Sequence, residues 1–221
     1  FNKCFIASAL KDLNFLLVLS HFTGHMLTGF GATIKNLGMG CASRKGKLAQ
    51  HCEINPTISL EKCFGCGNCA KNCPAMAIEE KNNGYFIIEK KCIGCAQCIT
   101  LCPNGAIKIN WSENYSIIGE KIVEYAYAVV KYRPCAFINF CLFITKECDC
   151  MNKEETPIVK DLGILFSNDP VAIDKASLDL INNNEGRDVL KEFHPQIDYL
   201  HHLKYAESIG LGSLDYKIIE I

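Results

Sequence analysis

Eight of the fifteen cysteines in this 221-residue chain fall in two short arrays, Cys63-x2-Cys66-x2-Cys69-x3-Cys73-Pro74 and Cys92-x2-Cys95-x2-Cys98-x3-Cys102-Pro103. Three thiolates at this close spacing wrap one face of an iron–sulfur cubane and take one iron each, while the fourth is carried away to complete the neighbouring cluster. The ligand sets are then Cys63, Cys66, Cys69 with Cys102, and Cys92, Cys95, Cys98 with Cys73. Structural zinc takes paired Cys-x2–4-Cys elements without a third close cysteine and a following proline. Gly65 and Gly94 let the loop backbone approach a cluster, where N–H groups stabilise its reduced state. With all eight ligands present no iron is left open, which favours electron transfer or a structural role over Lewis-acid chemistry.

Other residues suggest a second site. Cys148 and Cys150 are two apart and would point the same way on an extended segment, so both thiols would reach one metal or act as a redox pair. His21 and His25 follow an apolar strand, where α/β sheets place ligand sites. Cys41, Cys52 or His51 would complete such a centre. The glycine-rich stretch from Gly24 to Gly40, with Lys35, Arg44, Lys45 and Lys47, offers backbone N–H groups and charge to an anion. It is not a P-loop, because Gly46-Lys47 is followed by Leu48. Cys4, Cys135 and Cys141 sit in apolar context and read as small buried hydrophobes. Asp169 reads as a helix cap with Asp174 one turn inside, and His201 and His202 as surface or packing residues.

These residues need a scaffold, and the pattern supplies one. Asn14–Ser20 reads as a buried strand, followed by a short helix near 32–37. Strands follow at 85–89, 135–145 and 161–167, and helices at 120–132, 171–182 and 205–214. Asn82-Asn83-Gly84 marks a turn. Cys63–Ile78 repeats as Cys92–Ile107 at an offset of 29, with 8 of 16 positions identical. The expected fold is an α/β domain with an inserted α+β ferredoxin-like two-cluster module. Residues 1–52 form the first part of the α/β domain, 53–110 the module, and 111–221 the second part.

Composition narrows the function classes. Hydrophobic residues make up 49% and charged residues 21%, with a formal net charge of −1. No basic face is available for nucleic acid. The apolar runs 13–19 and 135–144 fall short of the roughly 20 residues of a membrane span. Clustered cysteines in otherwise ordinary sequence point to metal ligation in a reducing compartment, here taken as the cytoplasm.

The cysteine module resembles bacterial two-cluster ferredoxins over about 50 residues. The flanks carry a second resemblance. Ser20-His21-Phe22-Thr23-Gly24-His25, the run Gly29–Cys41, Ser43–Lys47, Cys148-Asp149-Cys150 and Asp169–Asp174 together look like the iron–sulfur-centre proteins of the domain-of-unknown-function 362 family. That resemblance implies the insertion architecture and a further α/β portion ahead of Phe1, and names no reaction. The expected cofactors are two [4Fe–4S] clusters, with an additional metal ion at His21, His25, Cys41, Cys148 and Cys150 as a further expectation. The expected function is an oxidoreductase-type relay of single electrons to or from the α/β domain, serving a redox partner protein or a small-molecule substrate. The alternatives are a non-catalytic ferredoxin-like carrier or docking protein, and a structural or regulatory cluster protein.

Overall fold

The computed structural model describes residues 1, 3–51, 56–81, 84–93, 95, 97–108, 115–150 and 154–221. Cys52, Asn82, Asn83 and Gly94, singled out above, lie outside these residues, as does the side chain of His51. In chain order the elements are β1 (Leu16–His21), β2 (Thr23–His25), β3 (Gly29–Gly31) and helix α1 (Thr33–Lys35), which runs into a π-helical turn at Asn36–Gly40. Next come α2 (Arg44–His51), β4 (Thr57–Ile58), α3 (Asn68–Lys71), β5 (Ile78–Lys81), β6 (Gly84–Ile87), α4 (Gln97–Leu101) and β7 (Ile107–Lys108). The chain closes with α5 (Tyr115–Val130), β8 (Cys135–Cys141), β9 (Gly163–Ser167), α6 (Pro170–Glu185), α7 (Val189–Phe193) and α8 (Tyr199–Ser208). Among the described residues no helix is long and apolar enough to cross a membrane.

The chain divides into a discontinuous unit, Phe1–Ala42 with Asn114–Ile221, and a central unit, Ser43–Glu113. In the discontinuous unit β8 is the middle strand of three. It pairs in parallel with β1, from Leu16↔Cys135 to His21↔Phe140, and antiparallel with β9, from Phe137↔Ser167 to Cys141↔Gly163. One sheet face, with Val18, Phe137, Asn139 and Cys141, is buried on the side where α1 and α6 lie. The other face carries Leu17, Leu19, Ile164 and Phe166, each at least half exposed. Continuous apolar runs led us to expect these strands to be buried on both faces. The described helices cover one face only, so alternate side chains stay in solvent.

Helix ends follow local chemistry. Asp169 Oδ1 accepts from the backbone N–H groups of Val171 and Ala172, ahead of Pro170 at the first helical position of α6. Helix α8 begins at Tyr199, earlier than the apolar spacing suggested, because Asp198 caps it through the Leu200 N–H. It ends in a left-handed Gly210, with bonds from Gly210 N–H to Glu207 O and from Leu211 N–H to Ala206 O. Asp174, inside α6, caps a different element. Its two oxygens accept from the N–H groups of Thr33 and Ile34, at the start of α1, and Oδ1 also accepts from Asn139 Nδ2.

In the central unit the sequence repeat becomes a structural one. Helices α3 and α4 begin at Asn68 and Gln97, which are 29 residues apart. Met76 and Gly105, also related by the repeat, both take a left-handed backbone, at φ 47° and 57°. Strands β4 and β7 pair antiparallel and join the start of the unit to its end, while β5 and β6 form a hairpin. The buried cluster is small, centred on Cys69, Ile78 and Ile107.

Candidate functional site

The cysteine arrays fold around the starts of α3 and α4. Gly65 and Gly67 adopt φ of 75° and 71°, a backbone open to glycine, and this turns the first array through its loop. Cys63, Cys66 and Cys69 of the first array and Cys102 of the second line a single cavity. At the end of each array the same hydrogen bond recurs, from Ala77 N–H to Cys73 Sγ at 3.3 Å and from Ala106 N–H to Cys102 Sγ at 3.2 Å. Both arrays therefore present a sulfur that already accepts a backbone donor. Burial pushes the Cys98 thiol up to about 11, and Cys95, Cys92 and Cys69 add to the shift. Burial raises Cys69 as well, with smaller contributions from Cys63 and Cys66. Crowded, half-buried thiols of this kind become thiolates when a bound cation supplies compensating charge.

The discontinuous unit brings together His21, His25, Cys148 and Cys150. Gly24 is the reason. Its N–H donates to Thr145 O at 2.8 Å, and a Cβ at this position would stand 2.0 Å from Lys146 O. That close approach draws the segment after β8 against β2. His21 then bonds Asp149 Oδ2 through Nδ1 and Leu142 O through Nε2, both at 2.7 Å. Burial lowers the His21 pKa, but the bonds to Asp149 and Leu142 outweigh it and leave the group raised. Lys35 is brought down to about 8 by burial, against the opposing pull of Asp149.

Cys148 and Cys150 are joined as a disulfide, in a turn rather than on the extended segment the sequence suggested. A ring nitrogen of His25 and the two sulfurs lie within 4.8 Å of one another. His25 Nδ1 accepts from the backbone N–H groups of Leu27 and Thr28, each at 3.2 Å. The proton of the neutral ring therefore sits on Nε2, and neither nitrogen offers an uncommitted lone pair. In this arrangement the trio resembles a metal-binding set in composition, but its donors are already engaged.

The remaining expected residues lie elsewhere. Cys41 is close enough to influence Cys135, at the opposite end of β8 from the His21 partner Phe140. Arg44, Lys45 and Lys47 stand on α2 in the central unit. Of the two alternatives for His202, packing holds: it is buried against Phe30, and burial brings it down to about 4. His201 bonds Glu120. The sequence reading missed Asp149 as the partner of His21, and Glu147 beside it. Each lies next to one of the paired cysteines, which was the only signal available.

A family model described as a domain of unknown function (DUF362) matches residues 1–179, a span that contains the eight array cysteines together with His21, His25, Lys35, Cys148, Asp149 and Cys150. No curated protein matches the chain.

Proposed function

This chain belongs to the DUF362 family, and within it we propose a redox protein that relays single electrons through two [4Fe–4S] clusters held by the central unit. The observation that carries this reading is the shared cavity of Cys63, Cys66, Cys69 and Cys102. Three neighbours from one array and the last cysteine of the other meet there, which is the crossed set the spacing calls for. Cys92, Cys95, Cys98 and Cys73 would hold the second cluster.

Held by these eight cysteines, two [4Fe–4S] clusters would supply one-electron redox chemistry with little rearrangement of the thiolates that bind them. The residues around them set the conditions. The N–H groups of Ala77 and Ala106 donate to ligand sulfurs, and such bonds favour the more negative, reduced state. Gly65 and Gly67 keep side chains off the loop that bends around the first set. The discontinuous unit would serve the redox partner or substrate. Thiolate ligation on this scale suits a reducing compartment such as the cytoplasm.

The test is metal and sulfide analysis of anaerobically purified protein, followed by electron paramagnetic resonance after dithionite reduction. About eight irons and eight sulfides per chain, with a reduced-cluster signal, are expected. Clusters that stay silent on reduction would favour a structural or regulatory role, and an iron-free protein would end the reading.

A further inference from the structure

We propose that the Cys148–Cys150 disulfide is a thiol–disulfide exchange site for small cationic thiols. The inference stands on the discontinuous unit alone and does not rest on the cluster reading. Three observations converge. First, the two sulfurs are bonded to each other yet differ in access, with Cys150 exposed and Cys148 only 7% exposed. An incoming thiolate reaches Cys150, and Cys148 is the sulfur that leaves.

Second, Cys148 lines a cavity of about 410 Å³ whose wall also includes Glu147, Asp149, Glu154 and Glu155. Asp149 is paired with His21. Glu147 Oε2 is buried without a hydrogen-bond partner among the described residues, while its Oε1 lies 3.9 Å from His194 Nε2. The carboxylates on this wall set a negative local potential that favours a cationic thiol over an anionic one. Third, the backbone bonds to His25 Nδ1 place the ring proton on Nε2 and leave the neutral ring no lone pair for a metal at these sulfurs, which weighs against the metal reading of the same residues.

The chemistry balances without a further reactant. A thiolate RS⁻ attacks Cys150 Sγ, the Cys148–Cys150 bond breaks, and its electron pair leaves on Cys148 Sγ. A second RS⁻ attacks the sulfur of the bound RS group, forming RS–SR and releasing Cys150 as thiolate. Two protons lost by the two thiols through solvent return to Cys148 and Cys150. The net change is 2 RSH plus the protein disulfide giving RSSR plus two protein thiols, and it runs in either direction.

The test uses the full, cluster-loaded chain under anaerobic conditions. Cysteamine (cationic), 2-mercaptoethanol (neutral) and glutathione (anionic) are the probes, with differential alkylation and mass spectrometry of the segment carrying Cys148 and Cys150. Both cysteines should become alkylatable together, and cysteamine should act about tenfold faster than glutathione at low salt, after correction for thiolate fraction. In Glu147→Gln the ratio of the cysteamine rate to the 2-mercaptoethanol rate should fall, whereas general loosening of the fold would raise both rates together. In Cys148→Ser, cystamine should leave a stable mixed disulfide on Cys150. If that variant does not fold, the wild-type and Glu147→Gln rates still decide. Equal rates for cysteamine and glutathione, or thiols that cystamine never oxidises, overturn the proposal. So does one zinc per chain retained by reduced wild type and lost from Cys148→Ser. An iron-free sample with intact exchange at this pair would instead count against the cluster reading alone.

Discussion

At the scale of single residues, the two cysteine sets make separable predictions. Cys102 shares a cavity with the first array although it belongs to the second. Cys102→Ser should therefore remove the cluster of Cys63, Cys66 and Cys69, and Cys73→Ser the other. Iron should fall from about eight to about four per chain in each, and the two variants should leave different resonance signals. Identical residual signals would mean that the ligation is not crossed. Asp174 makes a different kind of prediction. Burial pushes it up to about 6, outweighing the donors from Asn139, Ile34 and Thr33. The folded state then keeps a proton that the unfolded chain has lost, so this group's contribution to stability falls as pH rises from about 4 to about 6. Roughly 2 pKa units at about 1.4 kcal/mol each give about 3 kcal/mol. His202, brought down to about 4, acts with the opposite sign, and its contribution is lost as pH falls from 6.5 towards 4. The two oppose each other in one window. Urea unfolding of wild type and Asp174→Asn across pH 4 to 6.5 separates them. The penalty of the substitution should shrink with rising pH, and a constant difference would count against a raised Asp174.

At the scale of elements, the contact between β2 and the segment after β8 assembles the second site. A Cβ at Gly24 would meet Lys146 O at 2.0 Å and Lys146 C at 2.8 Å, both backbone atoms that cannot swing aside. Gly24→Ala should cost about 2–3 kcal/mol and release the segment that carries Asp149 and the cysteine pair. Hydrogen exchange of residues 145–150 should rise in that variant, while α5 and α6 keep their protection. Unchanged exchange there would mean that the segment is held by something other than this approach. The π-helical turn at Asn36–Gly40 is a second close approach, because a Cβ on Gly38 would stand 2.3 Å from Ile122 O on α5.

At the scale of the whole molecule, the two units differ in what holds them. The discontinuous unit has a broad buried core that includes Phe22, Phe30, Phe137, Ile122 and Leu178. The central unit centres on Cys69, Ile78 and Ile107, with half-buried neighbours that include the cysteines themselves. A unit that small needs staples beyond apolar burial. Removing iron with a chelator under reducing conditions should therefore strip hydrogen-exchange protection from residues 56–108 and leave β1, β8, α5 and α6 protected. Protection retained in the central unit after iron loss would mean that its fold does not depend on a bound group.

What the sequence determined by itself is what depends on local spacing. The two cysteine arrays, their repeat at 29 residues, the Asp169–Pro170 helix start and the longer strands and helices of the flanking segments were legible, because short-range geometry dictates them. Other features depend on contacts between residues distant in the chain. The apolar pattern of β1 and β9 could not reveal that only one sheet face would be covered. Nothing near Asp174 announced that its carboxylate would cap a helix 140 residues earlier. Nor did anything at His202 show that Phe30 would bury it. Cys148 and Cys150 were visible as a pair in the sequence. Their union in a disulfide beside His25, with Asp149 on His21, was settled by tertiary structure, because it requires a glycine in β2 to let another stretch of backbone come within van der Waals contact.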